Sequence, residues 1–257
     1  MGVLDHFKLD GKVAVVTGSG RGIGRGIALC LAEAGAAVVV SARRKEDIDA
    51  VAKEIEAAGG KALAVQADVT NTDDMERIGQ AAVDAFGTLD IWVNNAGGVP
   101  DGTARYLTRM TSQTFNDQIN LNFNAVYLGC MVAAKHMGAS GGSIINVSSA
   151  TSRGGHAKNA PYAAAKAAVN SFTASMAAEV GPTIRVNAVA PGPVVTDNFK
   201  DCLKIESDEQ AEMIRQNINL PLQRYGTPED IGAAVVFMAS PASAWVTGET
   251  LFVAGGL

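Results

Sequence analysis

A chain of 257 residues is long enough to bury a sizeable core and lies within the range of one α/β domain. Hydrophobic residues make up 47% and charged residues 18%, a balance that fits a packed enzyme and argues against disorder. The formal charge of −5 provides no basic field for nucleic acid or anionic membrane, and no apolar run is long enough to span a bilayer.

Cys30, Cys130 and Cys202 are odd in number and far apart, with neither disulfide nor metal-ligand spacing. Buried or incidental thiols in a reducing compartment are expected. Asp5, His6, Lys8 and Asp10 open the chain with no apolar run before them, which predicts no signal peptide and a cytoplasmic address. His6, His136 and His156 are scattered, and no metal is expected.

In chain order, short β-rich apolar runs alternate with longer segments of helical period, the pattern of a parallel sheet covered on both faces. Val13–Thr17 reads as a strand, Gly22–Ala34 as a helix, Ala37–Ser41 as a strand and Lys45–Ala58 as a charged amphipathic helix. Ala62–Ala67 is the third strand. Thr72–Phe86 is a helix whose apolar positions Met75, Ile78, Ala82 and Phe86 recur every three to four residues. Leu89–Val93 is the fourth strand, and a longer helical stretch is expected around Ser112–Met137. Ser143–Val147, Pro161–Val180, Ile184–Val189, Asp201–Asn217, Pro228–Ala239 and Thr250–Val253 complete the alternation. There is no repeat and no interdomain linker, so residues 1–257 are expected to form one α/β domain, a doubly wound parallel sheet of about seven strands in the Rossmann manner.

Between the first strand and first helix runs Gly18-Ser-Gly-Arg21-Gly22-Ile23-Gly24. Glycines there allow a tight turn, close approach of backbone to a pyrophosphate, and close packing of helix on strand. The helix N-terminus beyond them presents free N–H groups and a positive dipole end to phosphates. The strand–turn–helix context makes this a dinucleotide-binding turn. At the end of the second strand an acid would bind the ribose 2′-OH of NAD, and arginine would accommodate the 2′-phosphate of NADP. The sequence there reads Ser41-Ala42-Arg43-Arg44-Lys45, and Arg21 lies within reach in the turn. NADP is favoured over NAD, because a guanidinium pairs phosphate oxygens bidentately; part of the basic run is a solvated helix start.

Thr17-Gly18-x-x-x-Gly22-x-Gly24, Asn94-Asn95-Ala96-Gly97 and Tyr162-Ala-Ala-Ala-Lys166 together resemble the short-chain dehydrogenase/reductase family over essentially the whole chain. Within it the chain is similar to hydroxysteroid dehydrogenases of the 7α type and to 3-oxoacyl-carrier-protein reductases. The resemblance implies an oxidoreductase that moves a hydride between a nicotinamide and a carbonyl or secondary alcohol. It makes Tyr162 the acid/base. Lys166, four residues on along the same helix face, would lower the phenol pKa from near ~10 and hold the nicotinamide ribose. Ser148 and Ser149 compete for the hydroxyl that holds the substrate oxygen, and the family's serine–tyrosine spacing matches Ser149. Asn122 corresponds to a helix-kinking asparagine that holds a relay water, with Asn120 and Asn124 close by.

The same resemblance assigns Asp68 and Val69 to the adenine ring, although Asp is also a common turn residue. It assigns Asn95, Ala96 and Gly97 to the cleft by the ribose. Pro191, Gly192 and Val195 would meet the carboxamide, and Thr196 the pyrophosphate as well. Three segments, Gly98–Leu107, Ala150–Ala160 and a lid over about 195–220, would wall the substrate pocket. The lid's Phe199, Leu203, Ile205, Met213 and Ile214 suit a lipophilic ketone, and part of them pack the lid itself. Arg153 and His156 either contact substrate or face solvent. The alanine-rich Tyr162–Val180 helix suits close helix packing, and the family implies a homotetramer or homodimer. NAD-linked alcohol oxidation and a non-catalytic dinucleotide-binding protein are the alternatives.

Overall fold

The computed structural model describes residues 2–99, 106–155, 157–196, 199, 207–218 and 220–257. Seven strands form one sheet in the order β3-β2-β1-β4-β5-β6-β7, and every pairing is parallel. They are β1 Val13–Thr17, β2 Ala37–Ala42, β3 Lys61–Gln66, β4 Ile91–Asn94, β5 Gly142–Val147, β6 Ile184–Pro191 and β7 Thr250–Val253. The helices are α1 Gly22–Glu33, α2 Lys45–Ala57, α3 Thr72–Phe86, α4 Ser112–Ile119, α5 Ala125–Met137, α6 Ala160–Val180, α7 Asp208–Ile218 and α8 Pro228–Ala239.

Central strands read as unbroken apolar runs because helices cover both faces. All five residues of β1 are buried. On one face Ala14, Val16, Val38 and Val40 pack with Ile27 and Leu31 of α1, Ile48 and Ile55 of α2, and Ile231 and Val235 of α8. On the other, Val15, Val39, Trp92 and Ile144 pack with Met75 and Ile78 of α3, Val126 and Cys130 of α5, and Val169 and Met176 of α6.

Local chemistry sets the helix ends. The Asn71 side chain accepts from the N–H groups of Asp73 and Asp74 and starts α3, and Gly87 ends it in the left-handed region at φ 86°. Thr227 and Asp230 form a reciprocal capping box on α8.

The helical stretch Ser112–Met137 is interrupted at the asparagine expected to kink it, where a π-helical turn at Asn120–Asn124 separates α4 from α5. Strand β4 begins at Ile91 rather than Leu89. Just before it, Asp90 bonds through its backbone to Val13 and Ser143, and its side chain also accepts from Lys12 Nζ at 2.9 Å and Val13 N at 3.0 Å. Strand order reverses between β1 and β4, so a crevice opens beyond the C-terminal ends of those strands.

Candidate active site

The glycine turn and the segment after β4 flank that crevice. Gly18 has φ +65°, and a Cβ there would lie 2.8 Å from Ala96 Cα. A Cβ on Gly24 would fall 2.2 Å from the Gly18 oxygen and 2.4 Å from Asn95 Nδ2, so only glycine lets α1 start this close to the strand end. No side chain caps the α1 N-terminus, which leaves its first N–H groups directed into the turn. Thr17 Oγ1 donates to the Val93 oxygen at 3.3 Å and accepts from the N–H groups of Asn95 and Ala96, each at 3.1 Å. Asn95 Nδ2 donates to the Thr17 and Gly18 oxygens at 2.9 and 3.1 Å. The Asn95 amide therefore ties the glycine turn to β4. Thr196 reaches the same place from beyond β6, where a Cβ on Gly22 would stand 3.2 Å from its methyl. This tight, uncapped cradle of backbone fits a pyrophosphate.

Past the tip of β2, the basic run divides. Arg44 pairs with Asp47, and Lys45 pairs with Asp49 at 2.5 Å. Arg21 and Arg43 are exposed, and among the described residues neither side chain has a carboxylate partner. Asp68 Oδ1 accepts from Thr70 N at 2.9 Å and Thr70 Oγ1 at 2.7 Å, a side-chain turn that occupies one of its oxygens. Val69 is buried. Pro191 closes β6, and Gly192 N donates to the Val253 oxygen at 2.9 Å. The segment carrying Val195 then turns back toward the glycine turn.

The polar candidate residues beside this cradle come from three elements. Lys166 on α6 is 2% exposed, and its Nζ donates to the Val147 oxygen at the end of β5 at 2.7 Å. Ser148 Oγ returns a bond to the Lys166 oxygen at 3.0 Å, so the two elements are pinned reciprocally. Burial pushes the Lys166 ammonium down from 10.5 to about 8. Its Nζ lies 5.8 Å from the centroid of the Tyr162 ring. Ser149 is 9% exposed; its Oγ accepts from Thr151 N at 3.2 Å and from Thr151 Oγ1 at 3.0 Å. With its lone pairs so engaged, the hydroxyl proton is left for another acceptor. Of the two adjacent serines, Ser148 is the one held by backbone.

Asn122 lies in the π turn and is fully buried. Its Oδ1 accepts from Gly98 N at 2.8 Å, and its Nδ2 donates to the Gly98 oxygen at 2.8 Å and the Gln118 oxygen at 3.0 Å. Its neighbour Asn124 is exposed and donates instead to Asn120 at 2.7 Å. A Cβ on Gly97 would lie 2.9 Å from Asn122 Oδ1 and 3.2 Å from Lys166 Nζ. Gly97 is thus where the β4 segment, the π turn and α6 converge.

Behind this group runs a buried polar chain that local patterning did not reveal. Trp92 Nε1 donates to Asn94 Oδ1 at 2.7 Å, Asn94 Nδ2 to Asn146 Oδ1 at 2.9 Å, and Asn146 Nδ2 to Thr173 Oγ1 at 3.0 Å. Thr173 passes the chain to the Val169 oxygen at 2.8 Å, and so links β4 and β5 to α6. Its members are distant in sequence, and the only local hint is asparagine inside two apolar strands. Arg153 also has a definite place, with its guanidinium 3.8 Å from the Phe252 ring centroid and a hydrogen bond to the Leu257 oxygen. His156, Cys202, Leu203, Ile205 and the start of the expected Asp201–Asn217 helix lie outside the described residues. Phe199 stacks edge-on to Tyr225 at 5.5 Å; Met213 is exposed and Ile214 half-buried.

A family model described as enoyl-(acyl carrier protein) reductase matches residues 18–257. The chain belongs to the short-chain dehydrogenase/reductase family. Like other members of that family, it is an oxidoreductase. It is 36% identical over 98% of its length, and 96% of the relative's, to a 7alpha-hydroxysteroid dehydrogenase of Escherichia coli. It is 41% identical to a 3-oxoacyl-[acyl-carrier-protein] reductase of Synechocystis sp., covering 97% of this chain and 98% of that one. A solved 7 alpha-hydroxysteroid dehydrogenase complexed with NADH and 7-oxo glycochenodeoxycholic acid superposes with a TM-score of 0.91 at 35% identity, over 100% of this chain and 98% of the other. Among the described residues of this short-chain dehydrogenase/reductase, no helix is long and apolar enough to cross a membrane.

Proposed function

We propose that this chain interconverts a lipophilic ketone and the corresponding secondary alcohol with NADP(H), using Tyr162 as acid/base. The observation that carries the reading is the convergence of Lys166, Asn122 and the β4 segment at Gly97, with the Tyr162 ring beside Lys166. When bound, the nicotinamide supplies or accepts the hydride. Lys166 holds positive charge next to the phenol and favours its ionised form, which lets Tyr162 take or give the proton at the substrate oxygen. Ser149 Oγ donates to that oxygen and fixes it in place. Asn122 holds the Gly98 backbone and offers a station for a proton-relaying water.

The cradle formed by Gly18, Gly22, Ile23 and Gly24 binds the pyrophosphate on backbone N–H groups, with Thr196 closing over it. Asn95, Ala96 and Gly97 line the ribose side, Asp68 and Val69 the adenine side, and Pro191, Gly192 and Val195 the carboxamide side. Arg21 and Arg43, without carboxylate partners among the described residues, read the 2′-phosphate, whereas Arg44 is neutralised by Asp47. Residues of about 195–220 act as the lid, whose apolar side chains suit a lipophilic substrate. The assembly is a homotetramer. Tyr127 and Met131, 46% and 49% exposed on α5, form apolar surface for a second copy, with Tyr127 edge-on to Phe172 of α6.

Fluorescence titration with NADPH and NADH, for the wild type and Arg43→Ala, tests the cofactor half of the reading. Tighter NADPH binding that Arg43→Ala weakens by about 10- to 100-fold is expected; tighter NADH binding refutes it. Tyr162→Phe, assayed against steroid, acyl-thioester and cyclic ketones, tests the chemistry. It should abolish turnover and leave NADPH binding largely intact, and retention of most of the rate overturns the assignment.

A further inference from the structure

Arg153 lies in the 3-10 turn Ala150–Arg153 that Ser149 caps, four residues beyond the serine. The turn is held on one side by α6, where Asn170 Nδ2 donates to Ser152 Oγ at 2.9 Å. On the other side Arg153 makes its only described contacts with a different part of the fold. Its guanidinium carbon lies 3.8 Å from the centroid of the Phe252 ring of β7, and its Nη1 donates to the Leu257 oxygen. Residues 254–257 in turn seat on the foot of the lid. Leu222 N donates to the Gly255 oxygen at 3.1 Å, and a Cβ on Gly256 would strike Pro221 Cγ at 2.5 Å. Leu220 is buried beneath the same segment, and its Cδ2 would stand 3.6 Å from a Cβ on Gly255.

We infer that Arg153 is a positioning residue that braces the Ser149 turn against residues 254–257 and, through them, against the lid foot at Leu220–Leu222. The inference rests on the reading of Ser149 as the substrate-oxygen donor and of residues about 195–220 as the lid. Physically, a 3-10 turn of four residues has little hydrogen bonding of its own and needs an outside anchor to hold one geometry. Arginine supplies one through two separate interactions, a cation–π contact and a directional N–H donor, which lysine reproduces only in part. The brace touches neither the glycine turn nor Lys166 and approaches the dinucleotide side only through Ala254, which a Cβ on Gly192 would meet at 2.7 Å, so its loss acts chiefly on substrate. A rigid serine is pre-aimed at the ketone oxygen, and a loose one must be ordered on binding.

The test is hydrogen exchange on the full-length protein without ligand, comparing wild type, Arg153→Ala and Arg153→Lys. Arg153→Ala should speed exchange about tenfold in both 149–155 and 220–226, with Arg153→Lys intermediate and strand β1 unchanged. NADPH affinity should stay within about twofold of wild type. On any ketone the wild type reduces, KM should rise about tenfold in Arg153→Ala while kcat holds within about twofold. Faster exchange in 149–155 alone, or in neither segment, overturns the brace, as does an equal loss of NADPH affinity. Because exchange needs no turnover, a protein that reduces no ketone would refute the functional reading while the brace is still decided. Should Arg153→Ala fail to fold, Arg153→Lys against wild type gives the same comparison.

Discussion

Lys166 is buried as a cation with one hydrogen bond, and that arrangement predicts a site that works against the stability of the ligand-free protein. Burial holds the ammonium near 8, whereas in the unfolded chain it returns to 10.5. Between those values the unfolded state binds the extra proton, so stability rises with pH from about 8 to 10.5 and the cost is fully present below 8. At roughly 1.4 kcal/mol per pH unit, the cost at pH 7 is about 3 kcal/mol. Lys166→Met removes the charge, keeps the aliphatic stem, and leaves the Val147 oxygen without its donor, a loss of about 1 kcal/mol. The variant should therefore be more stable at pH 7 by about 2 kcal/mol, equivalent to roughly 4–8 °C in Tm for a chain of this size. Its advantage should shrink through pH 9 and reverse by about pH 10.5, where only the missing hydrogen bond counts. Urea unfolding of both proteins, at one protein concentration and without cofactor, measures the difference. A variant less stable than wild type at pH 7, or a difference independent of pH from 7 to 10.5, would refute the reasoning.

Gly24→Ala should force the glycine turn off β4, because its Cβ would fall 2.2 Å from a carbonyl oxygen; calorimetry should find about 1–3 kcal/mol lost and titration a collapse in NADPH affinity. Thr227→Ala opens the α8 capping box and should cost about 1 kcal/mol in urea, with no change in cofactor binding. Cys130 is fully buried, and its thiol is pushed up to about 12, chiefly by desolvation. Iodoacetamide labelling followed by peptide mapping should modify it only at the rate of global unfolding, and rapid labelling of the native protein would contradict its placement.

Much of the architecture could be read in advance where pattern and punctuation agree. The bounds of β1, α3, α8 and β7 coincide with those expected, since β-branched runs, an Asn or Thr cap and a terminal glycine each mark an edge. The reading missed element edges that carry no such punctuation. Strand β4 starts two residues later than expected, although Asp90 keeps backbone bonds to Val13 and Ser143 and adds a side-chain anchor. In the stretch 112–137 the hydrophobic period continues through the π turn, and the break shows only as three asparagines at 120, 122 and 124. The glycine turn and Tyr162–Lys166 stood out because their chemistry is local. Which arginine of the basic run is left unpaired depends on Asp47 and Asp49 of α2, and spacing alone leaves that open.

The buried chain from Trp92 through Asn94 and Asn146 to Thr173 also has a consequence for how this sequence can change. Its hydrogen bonds all point the same way, each residue accepting from the one before and donating to the one after. An apolar replacement at any single position strands its neighbours in a water-free core, at about 1–3 kcal/mol for each group left over. Replacing the whole set with side chains of matching volume escapes that loss. Mutational paths across these four positions therefore descend into a valley before they climb, and the effect of any one change depends on the state of the other three. Directed evolution by single steps would leave this part of the core untouched. Only libraries that vary all four positions together can cross the valley.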